Sequence, residues 1–573
     1  MKLRLLTFFI SALLCFSESR SLAQIETPPP FSNPRAMAEW EEVQALTIAW
    51  TGFPSILKQI VAAARLETEV IILTDDAAAT EDYLMSANDG GPAFASMDNV
   101  TLLPADYDSI WMRDYGANPV YGNEVDSLIL VDWMYNRPRP NDDASPLVIA
   151  DHLGLDLYST SQAPNELRYT GGNYMSDGFG TAFASKLILQ ENDGDGDFSI
   201  FYPTHTEEEI DNILHAFMGI DTYIKMETLP YDGIHHIDMH MKIIDEETLL
   251  VGQYPDGVAD GPQIEANLEY VLSNYNSKFG TPFRVIRIPM PNSTSGLWPD
   301  SSPTPGYYRT YTNAVFVNKT LIFPTYREEY DTTAYRIWGE ALPGYTIVGI
   351  DSDNSDANII SQSGAIHCIT HTVGVEDPLL ISHQPLDDTN DYINPYGVSA
   401  YMNHRDGISN ATLYWKTSME TDFTFLAMSN IGSNNWYAYI PPQPVGTIIQ
   451  YYLQGQATTG KVQVRPMPAP EGFWTFEVIG PDGVEEAEQA VFGNVYPNPA
   501  NAITCIEMDF KTAQSGSLYL LDVAGRNVMQ IYNGFFRSGD SKYFFDASSL
   551  EAGVYRVVVK TERGYNSYPV MVK

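Results

Sequence analysis

The chain has 573 residues, enough for roughly three or four domains, and its 44% apolar, 12% aromatic and 18% charged residues describe a folded protein rather than a disordered one. A formal net charge of −41 excludes a nucleic-acid polyanion as partner, because no basic cluster is present to neutralise phosphates. A field of that sign raises the local concentration of cations, arginine-rich peptides among them, and it also keeps an extracellular protein soluble.

The first 23 residues read as an export signal. Lys2 and Arg4 precede an apolar run from Leu5 to Phe16, and Ser21-Leu22-Ala23 before Gln24 fits a small-residue cleavage site. The run is too short to span a bilayer. Leu14 before Cys15 lacks the small residue that a lipoprotein site needs. Cleavage removes Lys2, Arg4, Arg20 and Glu18, which takes the charge from −41 to about −43.

Residues 24–375 mix short buried-type strands (Val70–Leu73, Ser127–Val131, Leu249–Val251, Thr320–Phe323) with helix-spaced apolar runs over Ile56–Glu67 and Glu207–Phe217. That alternation predicts an α/β domain, with a loose recurrence of strand, helix and strand but no strict internal repeat. Residues 376–480 change character. Aromatic strands at Ser399–Met402, Thr412–Trp415, Asn435–Ile440 and Thr447–Leu453 alternate with Gly, Asn and Pro turns, which predicts an immunoglobulin-like antiparallel sandwich. An acidic linker, 481–490, leads to an all-β module over 491–573. This last module carries Tyr496-Pro-Asn-Pro499, Asp522-x-x-Gly525-Arg526 and Gly553-Val-Tyr555. As a set these resemble the C-terminal sorting domain of proteins exported by the type IX system of Bacteroidota. The resemblance implies the type IX secretion machinery as a partner, passage across an outer membrane, and attachment to the cell surface or release. A β-sandwich carbohydrate-binding domain is the alternative.

With Cys15 in the signal, the mature chain keeps two cysteines, Cys368 and Cys505, in unrelated surroundings. An exported thiol outside a disulfide is either buried and inert, as expected of Cys505, or reactive. Cys368 has the company a reactive thiolate needs to attack a guanidinium carbon. Carboxylates take the N–H groups of that planar cation bidentately, and the bound cation helps depress the thiol's pKa. A histidine protonates departing ammonia and then activates water. Trp111-Met-Arg113-Asp114 offers a carboxylate and an aromatic wall for the substrate's alkyl stem. In His236-Ile-Asp238-Met-His240 an extended strand would put all three polar residues on one face, where they could serve Cys368 or equally bind a metal.

Residues from about Ala38 to Val373 resemble the guanidine-modifying superfamily of pentein fold, in the branch shared by agmatine deiminases and bacterial peptidylarginine deiminase. The matching segments are Ala38-Glu39-Trp40-Glu41 with Ile48-Ala49-Trp50, Trp111-x-Arg113-Asp114, Gly171-Gly172-Asn173, His236-Ile237-Asp238, Tyr311-Thr312-Asn313, Val348-Gly-Ile-Asp351 and Gly364-x-x-His367-Cys368-x-Thr370. The resemblance implies an α/β five-bladed propeller as catalytic domain, followed by the two all-β sandwich domains. It also implies Cys368 as nucleophile, His236 as general acid then base, Asp114 and Asp238 as guanidinium clamps, and Asn313 as an orienting residue. Neither a metal nor an organic cofactor is implied for catalysis.

The substrate turns on Tyr135-Asn-Arg137-Pro-Arg139-Pro-Asn-Asp142-Asp143. Two arginines on a proline-stiffened segment can grip a carboxylate, which free agmatine lacks. The segment resembles the one with which bacterial peptidylarginine deiminase binds a C-terminal arginine, implying arginine-containing peptides or proteins as substrates. Alternatively Arg137 and Arg139 pair with Asp142 or Asp143 on the surface, and the enzyme is a deiminase of free agmatine or arginine. A non-catalytic surface adhesin on the same scaffold is the reading from another class. Asp193, Asp195 and Asp197 alternate as in calcium loops and form a candidate structural calcium site, although Thr204 stands where an EF-hand would place its closing glutamate. His367, His371, Met239 and Met241 are read as shell or core residues.

Overall fold

The computed structural model describes residues 24–196, 198–300, 307–479, 490–511, 513–522, 525–561 and 564–573. The export signal, Asp197 and all but the last residue of the 481–490 linker therefore lie outside the described residues.

The chain forms two compact bodies. The larger takes in the described residues up to Leu386 with Tyr396–Ile440 and Ile449–Thr475, and the smaller Asp387–Pro395, Pro441–Ile448 and the described residues from Phe476 to Lys573. The α/β region of the larger body holds five sheets built on one plan: a short leading strand, an antiparallel middle strand, a helix, and a trailing strand parallel to the middle one. In the first sheet Val43–Ala49 is the middle strand, Pro54–Ala64 the helix and Glu69–Thr74 the trailing strand, with Val100–Pro104 added beyond it. Its leading strand, His371–Gly374, comes from the far end of the region. The other four are Asn118–Gly122, Ser127–Tyr135, Pro140–Leu153 and Leu157–Thr160; Met175–Ser176, Thr181–Ser185, Glu207–Met218 and Thr222–Met226; Met241–Ile243, Thr248–Gln253, Gly261–Asn274 and Arg284–Pro289; and Val315–Val317, Thr320–Thr325, Glu328–Ala341 and Thr346–Asp351.

Local chemistry accounts for these elements. The middle strands Val43–Ala49 and Thr320–Thr325 are almost wholly buried, as strands covered on both faces must be. The helix Glu207–Met218 starts in a capping box between Thr206 and Glu209 and ends at Gly219 in the left-handed conformation. Its buried Ile210, Ile213, Leu214 and Phe217 lie at helical spacing against Ala182, Ala184 and Ile220. The five repeats share a backbone plan, which is why the sequence shows them as no more than a loose recurrence.

Beyond the α/β region the larger body carries two antiparallel sheets. One orders Leu380–Ser382, Tyr396–Asn403, Asn435–Ile440 and Ser429–Gly432; the other orders Thr424–Ala427, Ile408–Thr417, Ile448–Ala457 and Val462–Arg465. The smaller body has its own core around Ile506, Phe510, Leu518, Phe536 and Val557, between a three-stranded and a four-stranded antiparallel sheet. Cys505 is buried on the strand Ile503–Phe510 of that body, without a disulfide. No helix among the described residues is long and apolar enough to cross a membrane.

Candidate active site

The segments just before the five leading strands converge. Asp114 lies in the short helix Met112–Tyr115 before Asn118–Gly122, and Gly171–Asn173 forms a 3-10 turn before Met175–Ser176. His236 and Asp238 precede Met241–Ile243, Asn313 precedes Val315–Val317, and Cys368 precedes His371–Gly374. Each repeat thus presents one loop to a common point. Hydrogen bonds tie the loops together: the Arg113 N–H donates to the Cys368 carbonyl at 3.1 Å, the Thr312 hydroxyl to the Asp238 carbonyl at 2.9 Å, and the His367 N–H to Asn313 Oδ1 at 2.9 Å.

Cys368 sits at the centre and is 1% exposed. Its thiol donates to Asp238 Oδ2 at 3.4 Å and accepts from Asn313 Nδ2 at 3.1 Å. His236 Nδ1 lies 3.7 Å from Asp114 Oδ1, and neither ring nitrogen of His236 has a hydrogen-bond partner among the described residues. Asp238 Oδ1 is likewise buried and unpartnered, although Oδ2 is fully engaged. A free carboxylate oxygen beside a thiol, and a free imidazole against a second carboxylate, leave unused hydrogen-bonding capacity around Cys368's loop. The ring of Trp111 packs over Gly364, where an added Cβ would fall 2.3 Å from it, next to Cys368. Gly172 makes room for the pair opposite: a Cβ there would lie 2.5 Å from His236 Nδ1 and 3.0 Å from Asp114 Oδ1.

Burial pushes the Cys368 thiol well above its ordinary value, and the Asp238 and Asp114 carboxylates add to the effect. Burial also lowers the His236 imidazole, against the opposing pull of Asp114 and Asp238. For Asp238 burial acts upward, but the hydrogen bond and charge of His367, with His236 and Cys368 behind them, hold its carboxyl below the usual range. The free site therefore holds a protonated thiol, a neutral His236 and an ionised Asp238.

One expectation needs correcting. The His236-Ile-Asp238-Met-His240 segment is not an extended strand. Ile237–Met239 is a 3-10 turn, entered after His235 at φ 59°, because converging on Cys368 requires the chain to bend before the next strand begins. His240 is consequently buried away from that face, its imidazole lowered by burial to about 4. The three residues do not form a metal-compatible group. Among the described residues the one group so spaced is Asp377, His404 and Asp406, where Arg405 already pairs with Asp377 at 2.7 Å. In the candidate calcium loop Asp193 and Asp195 are exposed, and Asp193 Oδ1 accepts the Asp195 N–H at 2.8 Å.

Arg137 and Arg139 follow the strand Ser127–Tyr135, and Arg139 caps the helix Pro140–Leu153. Neither forms an ion pair among the described residues. Asp142 instead takes the Asp108 and Ser109 N–H groups at 2.7 and 2.9 Å, and Asp143 the Tyr135 N–H at 2.6 Å. Arg139 donates to Ser109 and Tyr135 hydroxyls at 3.2 and 3.1 Å, and Arg137 lies 4.3 Å over the Phe198 ring. Arg137 is near enough for its charge to lower the His236 imidazole. Neither Asp142 nor Asp143 lies within ion-pair distance of either arginine, although the upward push of burial on the Asp142 carboxyl is opposed in part by the Arg139 charge.

Sequence reasoning missed Glu39 and His367. His367 Nδ1 lies 2.8 Å from Asp238 Oδ2 and its Nε2 2.9 Å from Glu39 Oε2. Glu39 also meets Lys242 and lies 4.0 Å from Arg113 Nη2. Position directly before the nucleophile was the available signal for His367. A separate cavity of about 550 Å³, lined by Phe179, Lys278 and Tyr401 among others, shares no residue with this cluster.

An α/β scaffold that brings a cysteine, a histidine and two carboxylates together from the loops of three of its repeats matches a guanidine-modifying hydrolase of the pentein class. The sequence model of the Porphyromonas-type peptidyl-arginine deiminase family matches residues 35–373 and that of the secretion system C-terminal sorting domain residues 494–573. The chain belongs to the Porphyromonas-type peptidyl-arginine deiminase family, whose hydrolases act on arginine or agmatine with a cysteine nucleophile and no cofactor. The sorting domain marks it for export and the cell surface. A putative agmatine deiminase of Legionella pneumophila is 26% identical over 48% of this chain and 75% of its own length, and one of a Marinomonas species is 24% identical over 61% and 96%. The crystal structure of a putative arginine deiminase from Porphyromonas gingivalis matches 60% of this chain and 98% of its own at 17% identity, with a TM-score of 0.50. The agmatine deiminase of Enterococcus faecalis matches 61% and 99% at 18% identity, also with a TM-score of 0.50. These structural likenesses establish the fold.

Proposed function

We propose that this protein is an exported deiminase of peptidyl-arginine, favouring a C-terminal arginine, which it converts to citrulline and ammonia. In this reading the five repeats stand as five blades around the site. Asp114 and the free Oδ1 of Asp238 grip the guanidinium, and Trp111 walls its alkyl stem. The bound cation offsets the carboxylates that hold the thiol protonated, so the Cys368 proton passes to His236 and the thiolate attacks the guanidinium carbon. Asn313 steadies the sulfur. His236 returns the proton to the departing nitrogen, and ammonia leaves a covalent thiouronium. His236 then takes a proton from water, whose oxygen adds to the same carbon, and breaking the C–S bond restores the thiol and frees the ureido product.

The single observation that carries the peptide reading is the pair Arg137 and Arg139, two guanidinium groups outside ion-pair distance of any carboxylate among the described residues, of which Arg137 is close enough for its charge to act on His236. Free agmatine offers them no anion. The agmatine reading draws its support from the printed names of the curated relatives. Citrulline formation by the full chain on a peptide ending in arginine, a peptide with internal arginine and a blocked terminus, and agmatine, each beside Cys368→Ala, separates them. Turnover of the first peptide above the others supports the proposal. Preference for agmatine overturns it, and inactivity on all three favours the adhesin.

A further inference from the structure

The buried His367 has an arrangement that fixes its proton count. Its Nδ1 faces Asp238 Oδ2 at 2.8 Å and its Nε2 faces both Glu39 oxygens at 3.0 and 2.9 Å. Both groups that face the ring are carboxylates below the usual range, Asp238 chiefly through His367 itself and Glu39 through His367 together with two further cations. For Glu39 the upward push of burial is overcome by His367, Lys242 and Arg113. An ionised carboxylate only accepts, so a ring caught between two of them donates from both nitrogens, and an imidazole with hydrogen on both nitrogens is a cation.

We infer that His367 is a positioning residue that donates from both ring nitrogens, whose charge keeps Asp238 ionised and whose Nδ1–H fixes Oδ2 so that Oδ1 stays turned to the substrate guanidinium. This role rests on the deiminase reading of Asp238; the proton count does not. His367 lies between the nucleophile's neighbour and a second charged layer. Asp238, His236 and Lys242 face it from the fourth repeat, Arg113 from the helix Met112–Tyr115, Glu39 from the segment before the first middle strand, and Cys368 and His371 from its own loop. Glu39 also has Lys242 and Arg113 against it, whereas the other imidazole facing Asp238's carboxylate is His236, which burial lowers. Removing His367's charge therefore falls on Asp238. An uncompensated buried carboxylate takes up a proton at higher pH and ceases to clamp a cation.

Two measurements test this. Side-chain ¹⁵N spectra of the full chain, with His367→Gln used to assign the signal, should show both His367 nitrogens protonated at neutral pH, with or without turnover. A neutral tautomer overturns the proposal. In kinetics, His367→Gln should lower kcat/KM at neutral pH by about tenfold or more and move the acid limb of its pH profile upward. Glu39→Gln combined with His367→Gln returns the cluster to its original net charge, so the limb should move back and part of the loss should be recovered. A uniform loss at every pH, with no recovery in the double variant, would mean a merely structural histidine and overturn the assignment. Because the spectra need no activity, a doubly protonated His367 in a protein that deiminates nothing would defeat the deiminase reading while leaving the proton count standing.

Discussion

The Cys368 thiol donates to Asp238 Oδ2 across 3.4 Å, so the proposed nucleophile rests against one of the groups proposed to hold its substrate. Burial and the two carboxylates push that thiol well above its ordinary value, and in the proposed reaction a cation entering between them relieves the push. Alkylation of the free protein by iodoacetamide at neutral pH should be slow. An unreactive alkylammonium or alkylguanidine-like cation that fits the clamp without blocking the sulfur should speed it by about tenfold or more. Rates that match an ordinary exposed cysteine without any cation would contradict substrate-assisted activation.

Arg137→Ala and Arg139→Ala should each cut kcat/KM for a peptide ending in arginine by about ten- to a hundredfold, the worth of a charge-assisted hydrogen bond of about 1.5–3 kcal/mol. The slower turnover of agmatine should be unchanged. Equal losses on both substrates would assign the arginines to the scaffold instead.

Gly172→Ala separates folding from chemistry. The backbone there does not need a left-handed conformation, yet the new Cβ would lie 2.5 Å from His236 Nδ1. The imidazole must shift from Asp114, and activity should fall about a hundredfold or more, as misplacing a catalytic group by an ångström does. Thermal unfolding should show a far smaller relative change.

Stability above neutral pH should depend on Glu191. Burial pushes its carboxyl up to about 8, against the opposing hydrogen bond from Asn136. An acid raised in the folded state favours folding below its unfolded value, about 4.3, and that contribution is lost as pH rises toward the folded value. Glu191→Gln keeps an acceptor for Asn136 and never ionises. Its melting temperature should exceed the wild type's at about pH 9, by an effect on the order of 1–3 kcal/mol, and the difference should shrink at about pH 5. A constant offset at all pH values would mean that Glu191 does not titrate in this range.

Much of the site was legible because its chemistry needs particular residue types at short spacing. Asp114 beside Trp111, His236 beside Asp238, and Cys368 are recognisable in isolation, and the fold brings them together. The bond between Glu39 and His367 was not legible, since 328 positions separate them and neither residue is unusual locally. Period-two reasoning failed at Asp238 because the segment ends a loop rather than continuing a strand, and alternation says nothing about where a strand begins. The repeats stayed hidden for a related reason. Their leading strands are two to five residues long, too short for a side-chain pattern, while the readings at Ser127–Val131, Thr320–Phe323 and Glu207–Phe217 fall within the longer elements Ser127–Tyr135, Thr320–Thr325 and Glu207–Met218.

The strand that follows Cys368, His371–Gly374, pairs with Val43–Ala49, so the first sheet is completed by nearly the last residues of the α/β region. Synthesis therefore delivers Cys368 and the closing strand together, after the other residues gathered at this point. A chain ending before Cys368 holds Asp114, His236, Asp238 and Asn313 but lacks the thiol, and one ending between Cys368 and His371 has the thiol but not the strand that seats it. On the proposed reading, the site stays incomplete until the last residues of the α/β region have folded back onto its first strand.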